Sequence, residues 1–174
     1  MRDDSFRVYR ADVFGVYNQI GIVAYNDLSK FVDTTGGINP NTTSYKYKIS
    51  VIDTCGNESV LSDFHKTIHL QVNGANLLWD NYVGFTSSFY YRILRDSVGY
   101  GNFYVRDSVP NTNFTWTDPN PPANYIIEIV HPSGGCTVTK SVENHNSSRS
   151  NVKLTLAPPA PLSATTTVTD ATQD

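Results

Sequence analysis

Tyr45-Lys46-Tyr47-Lys48-Ile49-Ser50-Val51, running on into Asp53-Thr54-Cys55-Gly56-Asn57, is the stretch that decides the fold. Side chains alternate across an extended chain, so Tyr45, Tyr47, Ile49 and Val51 share one face and Lys46, Lys48 and Ser50 the other. Strict alternation predicts a strand with one face buried and one wet. The Gly-Asn pair behind it supplies a turn. Tyr125-Ile126-Ile127-Glu128-Ile129, ended by Pro132-Ser133-Gly134-Gly135, is a second such segment. Shorter strands are predicted at Phe6 to Arg10, Gln19 to Val23, Thr67 to Val72, Asn76 to Trp79, Tyr90 to Arg95, Asn102 to Val109, Phe114 to Thr117 and Thr137 to Val142. Short strands with turn residues between them indicate a sandwich or barrel.

Composition points the same way. Of the 174 residues, 17 Val, 10 Ile, 18 Thr and 11 Tyr favour a pleated, half-buried surface, whereas 9 Leu, 8 Ala and 3 Glu leave little from which to build a helical bundle. A hydrophobic content of 39% with 12% aromatics is enough to fill a core. The length leaves room for one ordinary domain or two small ones. Net charge is −3 with Lys and Arg scattered, so no basic stripe awaits a phosphate backbone and nucleic acid is not an expected partner. No run of apolar residues is long enough for a membrane span, and Met1-Arg2-Asp3-Asp4 has no apolar stretch behind it to make a signal peptide.

The strands repeat. Phe6-Arg7-Val8-Tyr9-Arg10 aligns with Tyr91-Arg92-Ile93-Leu94-Arg95 at an offset of 85, and Phe31-Val32-Asp33 aligns with Trp116-Thr117-Asp118 at the same offset. Tyr47 to Val51 aligns with Tyr125 to Ile129 at an offset of 78, the drift being a shorter loop in the second copy. Two copies of one small domain are implied. Residues 1–71 form the first unit and residues 72–154 the second, with the boundary near Gln71 and a restricted tilt between them. Residues 155–174, with Ala157-Pro158-Pro159-Ala160-Pro161 and then a run of Thr, read as an extended linker.

Tyr45-x-Tyr47-x-Ile49-x-Val51-x-Asp53 followed by Gly56-Asn57-x-Ser59 resembles the sixth strand and following turn of a fibronectin type III domain. Leu78-Trp79-Asp80 resembles that family's second strand, Tyr91-Arg92-Ile93 its third and Thr115-Trp116-Thr117-Asp118 its fifth. The resemblance covers roughly residues 5–153 and implies an all-β chain: two immunoglobulin-like sandwiches in tandem, then a C-terminal linker. Two departures stand out. Ala123 falls where the first copy has Tyr45, so the tyrosine-corner bond is either lost there or made by Tyr125 in a shifted register. The first copy also begins at its third strand, with no counterpart of Trp79. Phe6, Val8, Tyr45, Ile49 and Val51 should then present a face with few partners. An upstream segment is expected to complete it; otherwise an edge is open to another chain.

The chemistry-bearing residues carry no catalytic pattern. No Gly-x-Ser-x-Gly turn occurs, the glycine pairs lack a helix start, and the acids are not paired, so no catalytic residue and no cofactor are assigned. His65 and His69, like His131 and His145, read as surface histidines without a third ligand, and no metal site is assigned. Asp3, Asp4, Asp12, Asp27 and Asp33 lack calcium-loop spacing and read as solvated turn acids. Cys55 and Cys136 belong to equivalent hairpins too far apart to pair; they are expected as free thiols, or paired outside this chain. Four glycosylation sequons begin at Asn41, Asn57, Asn113 and Asn146.

The aromatics divide. Trp79, Trp116, Tyr47, Tyr91 and Tyr125 are expected in the core; Tyr82, Phe85, Tyr90, Tyr100 and Tyr104 in loops or on outer faces. Exposed rings stack on sugars or anchor protein contacts, which makes Tyr90, Tyr100 and Tyr104 the candidate ligand-binding residues, unless they cover the sandwich ends. The function expected is a non-catalytic spacer or adhesion module of a large exported protein, working outside the cell or at its surface beside other domains of the parent chain and against protein or glycan there. Its Asn/Thr/Tyr-rich style resembles modular bacterial surface proteins. The alternatives are a carbohydrate-binding accessory module of a secreted hydrolase, and a virion or fibre component assembling by strand exchange.

Overall fold

The alternating segment forms β3 (Lys46–Ile52), which lies inside an antiparallel sheet of order β2-β1-β3-β4 with β1 (Ser5–Ala11), β2 (Tyr17–Ala24) and β4 (His65–Lys66). The structure is a computed structural model that describes residues 5–28, 30–134 and 146–156, and every regular element among those residues is a strand. Val8 sits opposite Ile49 and Gly21, and Phe6 opposite Val51 and Val23. Cross-strand partners share a face, so these residues make one apolar side. On the other side the Glu58 carboxylate accepts hydrogen bonds from Arg7, Tyr9 and Ser50, which ties the wet face together.

The remaining strands form two sheets. One has the order β5-β6-β9, from β5 (Leu70–Asn73), β6 (Asn76–Trp79) and β9 (Thr115–Thr117). The other has the order β8-β7-β10-β11, from β7 (Tyr90–Asp96), β8 (Tyr104–Pro110), β10 (Asn124–Val130) and β11 (Ser147–Arg149). They enclose a single core. Leu70, Leu77 and Trp79 from the smaller sheet meet Tyr91, Ile93, Tyr125, Ile127 and Ile129 from the larger, all buried. The Trp79 and Tyr91 rings meet edge to face at 5.5 Å, an arrangement favoured by their quadrupoles. This half of the chain is a β-sandwich.

The two four-stranded sheets match. Their orders, β2-β1-β3-β4 and β8-β7-β10-β11, are the same. Each outer ladder slips at the same place, between Val8 and Tyr9 in one and between Ile93 and Leu94 in the other. Each carries the same polar clamp. Arg10 and Tyr47 donate to Asp33 Oδ2 at 2.6 and 3.0 Å, and Arg95 and Tyr125 donate to Asp118 Oδ2 at 2.8 and 2.6 Å. The backbone two residues on, Thr35 N–H or Asn120 N–H, donates to the other carboxylate oxygen. Tyr125 therefore matches Tyr47, not Tyr45. The Asn39 N–H donates to the Tyr45 hydroxyl at 2.7 Å, and Ala123 offers nothing equivalent.

Several expectations meet a different outcome. The strand expected over Thr67 to Val72 is broken, because the chain leaves one sheet after Lys66 and enters the next at Leu70. Gln71 lies within β5, which pairs with β6. β11 has no alternating apolar signature and owes its form to pairing with Glu128, Ile129 and Val130. Phe31-Val32-Asp33 is not a strand, although its counterpart is β9. β9 exists through its pairing with β6, and among the described residues no such partner lies beside Phe31. The expected strand at Thr137 to Val142, Cys136, His145 and the linker from residue 157 onward lie outside the described residues. Among the described residues no helix is long and apolar enough to cross a membrane.

Candidate functional site

Tyr90, Tyr100 and Tyr104 are all exposed, as expected. Tyr90 pairs with Pro110 at one end of the β7–β8 ladder, and Tyr104 pairs with Arg95 at the other. Arg95 alternates in phase with Tyr91 and Ile93, whereas Tyr90 is out of phase, so Tyr90 and Tyr104 also project from opposite faces. Tyr100 lies in the β7–β8 turn, whose shape is set by Asp96, buried at the end of β7. Its carboxylate accepts the N–H groups of Val98, Gly99 and Gly101. Burial pushes this carboxyl up, but the backbone donors outweigh that and hold it below the usual range. Only Tyr100 and Tyr104 share one end of the molecule's β7–β8 hairpin. Tyr82 and Phe85 instead close the end of the sandwich, Tyr82 buried and Phe85 packed on the core. Burial raises the Tyr82 hydroxyl to about 12.

An open apolar recess lies elsewhere. On the first sheet, Phe6, Val8, Val23, Phe31, Tyr47 and Ile49, with Lys30 and Asp33, line an open groove of about 460 Å³. Ile49 and Val51 are 46% and 42% exposed, while their counterparts Ile127 and Ile129 are fully buried. The Phe31 ring lies against β2 at Gly21, where a Cβ atom would come within 2.1 Å of it. Desolvation raises the Asp33 carboxyl, yet the Thr35, Arg10 and Tyr47 donors more than offset this and leave it depressed. Tyr47 is pushed far up, by burial first and by the adjoining carboxylate second. The three groups thereby form a charge-assisted clamp between β1, β3 and the segment at Asp33. Of the face expected to lack partners, Ile49 and Val51 are exposed, whereas Val8 is buried and Phe6 and Tyr45 are half-buried, and no site residue was expected on it.

A polar seam joins the two halves. Asn151, in the sandwich half, accepts the Leu70 N–H at 2.7 Å and donates to the Leu70 carbonyl at 3.2 Å, standing in for a strand beside β5, and it also donates to Asn41 Oδ1 of the first half at 3.4 Å. The Asn41 carbonyl accepts from His69 Nε2 at 3.1 Å and from Lys153 Nζ at 3.4 Å. Ser44 donates to Asp80 at 2.7 Å. His69 is thus buried, not at the surface as expected, because its ring satisfies a carbonyl of the opposite half. His65 remains exposed as a residue, but its ring bonds the Tyr82 hydroxyl at 2.9 Å and meets Phe85 edge-on. His131 packs against the same Phe85, with ring centres 4.7 Å apart. Among the described residues no group of three or more His, Cys, Asp or Glu is placed to hold a metal ion. Cys55 is an exposed free thiol in a turn whose N–H groups bond Asp53.

Buried ionisable groups belong to the framework. Asp118 is held by Arg95 and Tyr125, and Glu128 by Arg149 and Arg92. Compared with known proteins, the chain matches no family model, no curated protein and no solved structure.

Proposed function

We propose that this chain is a non-catalytic structural module of a large exported protein, made of two fibronectin type III-like units in tandem followed by a linker over 155–174. The observation that carries the reading is the repeated four-stranded sheet with its repeated Arg–Asp–Tyr clamp. The same polar residues are used twice to hold strands in register, and the seam in which Asn41 meets His69 and Asn151 links the halves. Such a unit suits spacing and adhesion at a cell surface of bacterial type. Antibodies raised against this chain should label intact source cells; labelling only after lysis would overturn the reading.

A second reading has one observation in its favour. Tyr100 and Tyr104 expose their rings at one hairpin end, and exposed rings stack on sugar faces. On a glycan array, a carbohydrate-binding module would show binding lost in the Y100A/Y104A variant. An unchanged, blank array removes this reading and leaves the first.

A further inference from the structure

The first sheet has the strands, slip and clamp of the second, yet lacks a covering layer among the described residues. The second sheet shows what such a layer is. β5 and β6 form an antiparallel ribbon that carries Leu70, Leu77 and Trp79 inward and pairs with β9.

The first unit retains the counterpart of β9. Asp33 occupies the position of Asp118 in the clamp. Phe31 touches β2 at Gly21, and Trp116 donates its indole N–H to Asp107 of β8 at 2.8 Å. Gly21 pairs with Val8 and Asp107 with Ile93, so the two aromatic rings reach equivalent strand positions. Phe31-Val32-Asp33 therefore runs where a third strand would run. Among the described residues, Phe31 and Val32 make no backbone hydrogen bond. Unpaired strand edges beside an apolar face recruit extended chain by strand addition.

We propose that this face is the seat of a two-stranded antiparallel β-ribbon of the same polypeptide, entering β1 as β5–β6 enters β7. Its second strand pairs with Phe31–Asp33 in the register of β6 with β9, a leucine-sized residue opposite Phe31 as Leu77 is opposite Trp116. A tryptophan-sized side chain fills the groove between Val8, Tyr47 and Ile49.

Size decides against a separate partner. The three long strands, about 4.8 Å apart and about seven residues long, present roughly 350 Å² on one face, to which the two-residue β4 adds little. That is less than half of the roughly 800 Å² per partner of a stable standard interface. A ribbon in the same chain needs no such area, because linkage supplies a high effective concentration. The inference stands on the repeat geometry and holds wherever the protein works.

The test uses the chain's own ribbon as the probe. Residues 68–89 are added directly ahead of Ser5 of the full chain, and residues 68–81 are also supplied as a free peptide to the unaltered chain. The fusion should slow exchange of the Phe31, Val32 and Asp33 amides by roughly tenfold or more, as new ladder bonds do. It should also remove the dye-binding apolar surface that I49D removes from the unaltered chain. W79A in the added copy should reverse both effects. The free peptide, at millimolar concentration, should shift the resonances of Phe6, Val8, Phe31 and Ile49. If neither the fusion nor the peptide affects these residues, the proposal fails. A concentration-dependent dimer of the unaltered chain that buries Ile49 and Val51 also overturns it, since a second copy is then the occupant.

Discussion

Asp33 and Asp118 do the same work in the two halves, but Asp118 does it from a fully buried position, clamped by Arg95 and Tyr125. Removing one partner of a buried ion pair leaves the other uncompensated, at a cost of about 3 kcal/mol or more. Asp118→Asn should therefore destabilise the second unit by about 3 kcal/mol in urea unfolding at neutral pH. Asp33→Asn should act in the same direction and less strongly, since its clamp borders an open groove. Both carboxyls are depressed in the folded state: burial raises them, and their donors outweigh it. A depressed folded value means stabilisation that is fully present above the unfolded value of about 3.9 and lost as pH falls through the folded one. The parent chain should lose stability steeply below about pH 4, and D118N should show a shallower acid limb. An acid limb identical in parent and variant would remove Asp118 from this account.

At the scale of elements, β5 is short and has a ladder on one side alone, to β6. Its other side is served by a side chain: Asn151 satisfies both the N–H and the carbonyl of Leu70. Leu70 is fully buried, so its backbone groups have no water to fall back on. Asn151→Ala should cost about 1–3 kcal/mol, the penalty for buried polar groups left unsatisfied. It should also raise the exchange rate of the Leu70 amide before that of Ile127, whose N–H keeps its bond to the Ser150 hydroxyl oxygen. A loss confined to a few tenths of a kcal/mol would show that the amide is dispensable. Elements with their own alternation were legible in the sequence: β1, β3, β6, β7 and β10 fall within a residue or so of their expected bounds. What stayed hidden depends on a partner. β11 is polar and exists through β10, Phe31–Asp33 fails as a strand for want of a neighbour, and His69 is buried by Asn41 from 28 positions away. Periodicity marked Tyr90, Tyr100 and Tyr104 as exposed, but only the ladder shows that Tyr90 and Tyr104 stand on opposite faces.

At the scale of the molecule, the described residues set a two-layered half beside a half with one sheet. In the second, Tyr91, Ile93, Tyr125, Ile127 and Ile129 are completely buried under β5, β6 and β9. In the first, Val8 is buried while Ile49 and Val51 are close to half exposed. Each large side chain left uncovered forfeits about 1.5–3 kcal/mol when exposure is complete, so two half-covered positions cost a few kcal/mol together. Total domain stability is only about 5–15 kcal/mol. The first sheet should accordingly open at a lower free energy than the second, through sub-global fluctuations that leave the sandwich intact. In native-state exchange, the ladder amides of β1 and β3 should exchange at least about 30-fold faster than those of β7 and β10, which corresponds to about 2 kcal/mol. The Arg10–Asp33–Tyr47 clamp works against this difference by pinning β1 to β3, so D33N should widen the gap between the halves while D118N narrows it. Equal protection of the two sheets, with both falling together on D118N, would mean that the halves unfold as one unit through the Asn41–His69–Asn151 seam, and that the seam rather than the covering layer sets the stability of the first sheet.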